Sequence, residues 1–404
     1  MARALLPETL SLGCRLNSAE AETMAALAAA GGLTHALIVN TCAVTAEAES
    51  QARQAIRRAA REQPGRPIIV TGCAATLAPA AWAALPGVVR VLGNTEKLLA
   101  ESWGAAPGLT PPAATQRRAR AFLEVQQGCD HHCTFCVIRV ARGASRAWAM
   151  DDVLGATRQA VARGQLEVIL TGVDLASWRE GAAGLAELAR ACLGVPGLAR
   201  LRLSSLDPAA VPAELLALWA DEPRLAPFLH LSAQHGDALI LKRMRRRHSP
   251  ETALALAEAA RAARPDMAIG ADLIAGFPTE EAAHHDASLA LVEALRPAAL
   301  HVFPYSARPG TAAARLPALP GPLVRARAAA LRAAGAGHAQ AAARARVGLL
   351  EQAIFDSATE ATTAQGFRLR LTRGTAPRGA LRALRVTGCD GAILLAEEMT
   401  DGAA

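Results

Sequence analysis

The stretch GCDHHCTFC at residues 128–136 places Cys129, Cys133 and Cys136 at the spacing C-x3-C-x2-C. It comes just after AFLEV at residues 121–125, an apolar run typical of a buried strand. In a (β/α) barrel, a loop at the carboxyl end of a strand faces the mouth that carries the active site. Three thiolates held this close can bind three irons of one 4Fe–4S cluster and leave the fourth iron open, whereas clusters of simple electron carriers are held by four cysteines. The spacing therefore predicts that these cysteines hold a catalytic cluster.

The same cysteines also fit a different reading. A zinc ion completed by His131 or His132, or a structural thiol cluster, would make this segment part of a zinc-stabilised RNA-binding protein. Two adjacent histidines inside so tight a loop would be strained if both joined one tetrahedron, so we favour the iron–sulfur interpretation. Iron and sulfide analysis distinguishes the two.

A second cysteine set is dispersed along the amino-terminal hundred residues. Cys14, Cys42 and Cys73 follow the strand-like runs TLSLG, LIVNT and IIVTG. The carboxyl ends of parallel strands share one edge of a sheet, which is where open α/β sheets bind ligands. We therefore expect these three thiols to converge on a second 4Fe–4S cluster. Cys192 and Cys389 lack this setting and are expected to have no such role.

The pattern of apolar runs predicts an α/β protein in three parts. Residues 1–103 alternate strands and helices, as expected of an open parallel sheet, and residues 104–120, rich in Pro and Gly, are expected to form a linker. Residues 121–345 carry six strand-like runs between helical segments, which suit a partial (β/α)6 barrel. Residues 346–404, with alternating runs such as FRLRLT and LRALRVTG, are expected to form a small β domain.

Composition excludes several classes of protein. Hydrophobic residues make up 52% of the 404-residue chain, too many for a disordered protein, and eight cysteines are too few for a disulfide scaffold. No uncharged apolar run is long enough to span a membrane, and no secretory signal is visible, so we expect a cytoplasmic protein. The net charge of +7 is compatible with an RNA partner, although only two of the basic residues are lysines.

With both cysteine sets in hand, the chain resembles the radical S-adenosylmethionine (SAM) methylthiotransferase family. The similarity runs from about Leu10 to Leu316 and includes, in order, the segments SLGCRLNSAE, VNTCAVT, VTGC, QQGCDHHCTFCVIRVARG, TGVDLASW, RLRLSSLDP, ADLIAGFPTE and HVFPYSARPGT. VNTCAVT resembles the subgroup that acts on threonylcarbamoyladenosine in tRNA more than the subgroups that act on isopentenyladenosine or on a ribosomal-protein aspartate. The family commonly has Pro and an aromatic residue where Arg139 and Val140 stand here. The carboxyl-terminal part resembles the family's RNA-binding TRAM domain only weakly.

This resemblance implies two 4Fe–4S clusters, SAM as cosubstrate, an external electron donor such as a flavodoxin, and the anticodon loop of tRNA as partner, without DNA or membrane. One cluster would bind SAM and supply the electron that cleaves it, giving methionine and a 5′-deoxyadenosyl radical, and the other would offer an open iron to sulfur. Such a radical is needed because C2 of adenine carries an unactivated C–H bond. The product would be the 2-methylthio derivative of N6-threonylcarbamoyladenosine at position 37. SAM contacts are expected from residues in three strand-end segments: Thr171, Gly172, Asp174, Ser204 and Gly276.

The densest basic segment is LKRMRRRHS at residues 241–249. Its cationic side chains can neutralise several phosphates, and we expect them to bind tRNA: Lys242, Arg243, Arg245, Arg246 and Arg247. A solvated helix face with ion pairs is the alternative. Aromatic residues are only 3% of the chain, so base stacking would rest on a few residues such as Phe303, Tyr305 and Trp178.

Overall fold

The computed structural model describes residues 6–107 and 118–398, and the first of these ranges forms a four-stranded parallel sheet in the order β1-β2-β3-β4. Residues of the runs LIVNT and IIVTG are all buried, as expected of parallel strands covered on both faces. The elements are β1 (Glu8–Ser11), α1 (Arg15–Ala30), β2 (Leu37–Thr41), α2 (Ala46–Glu62), β3 (Ile68–Gly72), α3 (Cys73–Leu77), α4 (Pro79–Ala83) and β4 (Val88–Val91).

Six parallel strands then form a partial barrel. Four neighbouring pairs, β5–β7, β7–β8, β9–β10 and β10–β11, form regular parallel ladders. The β8 and β9 segments are joined by the isolated parallel bridges Leu201–Leu225 and Leu206–Leu231, which lie at or beside the ends of these strands. The elements are β5 (Ala121–Gln127), α5 (Ile138–Arg142), β6 (Arg146–Ala147), α6 (Met150–Ala162), β7 (Glu167–Gly172), α7 (Leu185–Leu193), β8 (Arg200–Leu203), α8 (Ala213–Asp221), β9 (Phe228–Gln234), α9 (Ala238–Arg243), α10 (Pro250–Ala263), β10 (Ala268–Ala275), α11 (Ala282–Leu295), β11 (Ala299–Pro304) and α12 (Gly321–Arg344).

Side chains alternate along these barrel strands. Leu201, Leu203, Leu229 and Leu231 belong to the large apolar core shared with the helices. The residues between them are polar or charged and face the inside of the barrel, because successive residues of a strand point to opposite faces. The barrel interior is therefore the polar side of this unit and the place where reactants are expected.

The carboxyl-terminal segment folds into a closed five-stranded barrel in the order β12-β13-β14-β16-β15. Its strands are β12 (Leu350–Phe355), β13 (Glu360–Thr363), β14 (Arg368–Leu371), β15 (Leu381–Asp390) and β16 (Ile393–Glu398). It packs against the amino end of the partial barrel, where Arg200 and Arg202 donate hydrogen bonds to the Gln352 and Thr363 carbonyl oxygens, each at 3.0 Å. Both guanidiniums also pair with the buried Glu167 carboxylate, at 3.1 and 2.7 Å.

The predicted α/β fold class is confirmed, with an open parallel sheet, a six-stranded partial barrel and a β-rich tail. Most of the expected linker, residues 108–117, lies outside the described residues, as do residues 1–5 and 399–404. Within the described part of the chain, no helix has both the length and the apolar character that crossing a bilayer requires.

Candidate active site

The amino-terminal cysteines follow neighbouring strand ends, as predicted. Thr41 pairs with Gly72 in the β2–β3 register, so Cys42 and Cys73 are each the next residue after a paired position. The Leu12 amide donates to the Asn40 carbonyl at 3.1 Å, which holds the Cys14 loop against the same edge.

Glycines allow this close approach. A Cβ built on Gly13 would lie 3.2 Å from the Cys42 Cβ, and one on Gly72 would lie 2.3 Å from the Thr41 carbonyl oxygen. Gly72 also has φ of +98°, a conformation that L side chains rarely adopt. The backbone beside Cys14, Cys42 and Cys73 is therefore packed closely enough that a side chain at Gly13 or Gly72 would overlap its neighbours.

The loop that carries Cys129, Cys133 and Cys136 is fixed from several sides. A Cβ on Gly128 would lie 1.9 Å from the Ala144 carbonyl oxygen, and the Cys129 amide donates to the Gly143 carbonyl at 3.1 Å. The Thr134 amide and hydroxyl donate to the carbonyl oxygens of Met244 and Arg243, at 3.1 and 2.9 Å. The aromatic ring of Phe135 packs against an apolar cluster that includes Phe277.

The thiols fit a polynuclear cluster better than a single ion. All six are free, and neither trio brings its three sulfur atoms within 4.8 Å of one another. Zinc–sulfur bonds of about 2.3 Å would place the sulfurs of a zinc tetrahedron only about 3.8 Å apart. Burial raises the pKa of Cys42 and of Cys129 to about 11 each, and binding a metal would have to displace these protons.

Two groups in the described chain have the spacing for a single ion, His230 with Asp272 and His301, and a second that lies in the cysteine loop. The ligand atoms of Cys129, His131 and Asp174 all lie within 4.8 Å of one another, and His131 Nε2 is 2.8 Å from Asp174 Oδ2. The group takes only one of the three cysteines of its loop, whereas structural zinc sites are closed by four protein ligands. It therefore differs from the cysteine-rich zinc site that the sequence left open.

A buried ionic network links Cys73 to the helix that follows the loop of Cys129, Cys133 and Cys136. Arg142, at the end of α5, donates from Nε to Cys73 Sγ at 3.2 Å and from Nη1 to Glu20 Oε1 at 2.7 Å. Lys97 Nζ lies 2.6 Å from Glu20 Oε2. Burial by itself would raise the pKa of Glu20, but Arg142 and Lys97 outweigh burial and lower it to about 2. The network therefore holds the Glu20 carboxylate between two cations, one of which, Arg142, also contacts Cys73.

The basic segment is divided between surface and interior. Lys242, Arg243 and Arg245 are exposed, and Arg247 is half-exposed while pairing with Asp207 at 3.3 Å. Arg246 is a correction to the expected tRNA surface, because its side chain is only 9% exposed and pairs with Asp207. Its Nη1 lies 3.7 Å from Cys133 Sγ.

The residues expected to contact SAM lie at strand ends, as predicted, and their contacts with SAM stay a prediction. Thr171 is buried at the end of β7, and a Cβ on Gly172 would lie 2.9 Å from Gln126 Oε1. The Asp174 amide donates to the same Gln126 oxygen at 2.8 Å. Ser204 is buried, and its hydroxyl has no hydrogen-bond partner in the described chain, which makes it available to a ligand.

Gly276 is needed for a local reason. It has φ of +77°, and a Cβ there would lie 2.7 Å from the Val324 side chain of α12. Its amide donates to Glu280 Oε2 at 2.8 Å. Packing therefore explains the glycine, and its predicted approach to adenine stays a prediction.

Sequence reasoning missed a polar cluster inside the barrel. Asp272 Oδ1 lies 2.9 Å from His230 Nε2 and 3.1 Å from His301 Nδ1, and Ser205 Oγ donates to Asp272 Oδ2 at 3.2 Å. Burial by itself would raise the pKa of Asp272, but His230 and His301 lower it well below its usual range. Part of the signal was present in the sequence, since Asp272 is the one charged residue of β10 and His301 the one polar residue of β11.

The aromatic candidates for base stacking differ in how deeply the structure buries them. Trp178 is fully buried in the barrel core and donates from Nε1 to the Trp148 carbonyl at 3.1 Å, so the expectation that it stacks on a base is wrong. Phe303 and Tyr305 are half-buried beside Phe277.

Comparison with known proteins fits this geometry. Residues 123–292 match the Radical SAM superfamily, and residues 8–93 match a family described as "Uncharacterized protein family UPF0004". The radical SAM methyltransferase TsrM from Kitasatospora setae, solved with cobalamin and a [4Fe-4S] cluster, shares the fold with a TM-score of 0.55 at 16% identity, over 77% of each chain. The partial barrel and its three-cysteine loop thus define a radical SAM enzyme.

Similar sequences narrow the class. The chain is 40% identical to threonylcarbamoyladenosine tRNA methylthiotransferase MtaB of Rickettsia prowazekii, over 79% of this chain and 80% of that one. It is 35% identical to tRNA-2-methylthio-N(6)-dimethylallyladenosine synthase of Paracoccus denitrificans, over 78% of each chain. The chain belongs to the radical SAM tRNA methylthiotransferase family, which confirms the resemblance seen in its motifs.

Proposed function

We propose that this enzyme transfers a methylthio group to C2 of N6-threonylcarbamoyladenosine at position 37 of tRNA, in the cytoplasm. The observation that carries the proposal is the presence of two three-cysteine sets at strand ends in one chain, since one cofactor site is needed to activate carbon and another to present sulfur. The 40% identity to a threonylcarbamoyladenosine enzyme supports this substrate over the dimethylallyl or isopentenyl form, for which the identity is 35%. A ribosomal-protein aspartate is the remaining substrate within the class.

The carboxyl ends of both sheets face one another. The Asn94 side chain, after β4, donates to the Ala141 carbonyl at 2.7 Å, and the Ala46 amide donates to Ser306 Oγ at 3.2 Å. Arg308, beyond β11, pairs with Glu49 of α2. These contacts support a single reaction space lined by both cysteine trios.

In this proposal, Cys129, Cys133 and Cys136 hold the cluster that binds SAM. When bound, that cluster supplies the electron for cleaving SAM to a radical able to break the C2–H bond. Cys14, Cys42 and Cys73 would hold the second cluster, which would supply the sulfur chemistry that a methylthio group requires. The polypeptide keeps the reactants aligned and excludes water, which can account for much of the rate acceleration.

The remaining assignments follow from the same proposal. An external donor such as a flavodoxin supplies electrons, and the exposed cations of the basic segment bind the anticodon stem and loop. The small carboxyl-terminal barrel adds an RNA-binding surface. Each of these is a proposal about partners that would approach the described surfaces.

Nucleoside analysis of tRNA tests the substrate. A strain that lacks this gene should lose the 2-methylthio group from threonylcarbamoyladenosine and keep it on isopentenyladenosine, and expression of the wild-type chain should restore it. The variant in which Cys14, Cys42 and Cys73 are alanine should still cleave SAM under reduction but add no sulfur. Loss of the group from isopentenyladenosine instead would overturn the substrate assignment, and one zinc without sulfide in the anaerobic protein would favour the zinc-stabilised RNA-binding protein.

A further inference from the structure

Arg142 has an unusual position for a buried arginine. It lies six residues after Cys136, at the carboxyl end of the helix that follows the SAM-cluster loop, yet its side chain ends beside Cys73 of the amino-terminal sheet. The side chain is 2% exposed. A charge this deeply buried is costly unless each of its donors is paired.

Each nitrogen of the guanidinium has a partner. Nε donates to Cys73 Sγ at 3.2 Å, Nη1 donates to Glu20 Oε1 at 2.7 Å, and Nη2 donates to Asn17 Oδ1 at 2.9 Å. Glu20 needs only one cation for neutrality and already has Lys97 at 2.6 Å. Arg142 is therefore not required to neutralise Glu20, and its Nε is directed at the cysteine edge.

A 4Fe–4S core held by three thiolates carries a net negative charge, which the Arg142 cation beside Cys73 complements. Hydrogen bonds to the sulfurs, together with nearby charge, are among the factors that set the reduction potential of iron–sulfur clusters. We propose that Arg142 is a positioning residue of the sulfur-carrying site: its hydrogen bond to Cys73 anchors the second cluster against the SAM-cluster loop and raises that cluster's reduction potential. This inference rests on the proposed function, because it requires a cluster on Cys14, Cys42 and Cys73.

The position also couples the two sites mechanically. The Arg142 carbonyl accepts a hydrogen bond from Arg146 Nη1 at 3.2 Å, and the Ala141 carbonyl accepts one from Asn94 at 2.7 Å. Residues 137–142 thus connect Cys136 to Arg142, which contacts Cys73. A shift of either cysteine set would have to break this buried contact, so Arg142 fixes the spacing across which sulfur meets carbon.

The test uses the full chain with Cys129, Cys133 and Cys136 changed to alanine, so that only the second cluster remains. In this background we would compare Arg142→Gln, Arg142→Lys and the control Arg139→Gln, which removes a cation from the exposed face of the same helix. The readouts are iron and sulfide content and the midpoint potential from an EPR-monitored titration with dithionite. Glu20 keeps Lys97 in every variant, and circular dichroism checks folding.

We expect Arg142→Gln either to lose most of its iron and sulfide or to shift the midpoint potential to more negative values. Arg142→Lys should show a smaller shift in the same direction because it keeps the charge, and Arg139→Gln should match the background. Full cluster content with an unchanged potential in both Arg142 variants would overturn this inference alone. A background protein that is folded but binds no cluster would overturn the second cluster, and the inference with it.

Discussion

Replacing Gly72 with alanine should impair cluster binding at Cys14, Cys42 and Cys73 and leave the loop of Cys129, Cys133 and Cys136 functional. Gly72 ends β3 just before Cys73, with φ of +98°, and its new Cβ would lie 2.3 Å from the Thr41 carbonyl oxygen and 2.5 Å from the Thr41 nitrogen. Because such contacts are at least 3.0 Å in real proteins, β2 and β3 must separate by about 0.7 Å at the residues that precede Cys42 and Cys73.

The magnitude follows from two costs. The left-handed backbone costs about 1–3 kcal/mol for a residue other than glycine. The overlap adds a similar amount, typically about 1–3 kcal/mol for overpacking. Gly65 offers a matched control, since it has φ of +84° but no atom within 4 Å of a built Cβ. Gly65→Ala should therefore show the first cost alone.

The assay is anaerobic reconstitution followed by iron and sulfide analysis, with urea unfolding of the cluster-free chain. Wild type and Gly65→Ala should bind about eight irons, the content of two 4Fe–4S clusters, whereas Gly72→Ala should fall to about four and still cleave SAM. Gly72→Ala should also unfold more easily than Gly65→Ala. Full iron content in Gly72→Ala, with a stability equal to the control, would refute the claim that strand-end packing positions the second site.

Glu167→Gln should lower the free energy of unfolding by about 3–5 kcal/mol in urea, because it leaves two buried guanidiniums without their carboxylate. Burial, together with Glu20, raises the pKa of Glu124 to about 7, so the folded chain holds a proton there between about pH 4.5 and 7 that the unfolded chain has released. Stability is therefore lost as pH rises through that range, and Glu124→Gln should gain on the order of 1–3 kcal/mol at about pH 8 and nothing at about pH 4. Neutralising the four exposed cations of the basic segment should reduce the salt dependence of tRNA binding by about one unit of slope per lost phosphate contact.

Each of these three predictions has a specific result that would contradict it. For Glu167, a loss below about 1 kcal/mol would show that carbonyl partners alone satisfy the guanidiniums. For Glu124, an equal gain at both pH values would mean that packing, not protonation, is responsible. For the basic segment, unchanged salt dependence would favour the solvated-helix interpretation, and a variant of Arg58, which is exposed on α2, provides the charge control.

Patterns within short stretches of sequence predicted the strands and the positions of the cysteines at their ends. Continuous apolar runs gave the parallel strands, and cysteines directly after those runs lie at strand ends, because a parallel sheet brings its carboxyl ends to one edge. The six expected barrel strands are all present. The loop of Cys129, Cys133 and Cys136 could be placed for the same reason.

Contacts between distant segments were beyond this reasoning. Arg246 belongs to a run of cations that looks uniformly exposed, but only the structure shows that it turns toward Asp207 and Cys133. Trp178 follows a predicted strand and looks available for stacking, although the core around α7 buries it. Arg142 lies in a family motif, and nothing in its local sequence indicates that it reaches Cys73.

The attachment of the small carboxyl-terminal barrel affects how truncations should be interpreted. Two of its backbone carbonyls accept hydrogen bonds from Arg200 and Arg202 at the amino end of the larger barrel, referred to below as its floor. Deleting the small barrel would therefore expose to water the ionic group of Arg200, Arg202 and Glu167, which is buried in the intact enzyme. A shortened protein that fails to modify tRNA would therefore say little about RNA affinity. Point changes on the outer face of the tail, which spare that floor, are the fair way to ask whether it touches nucleic acid.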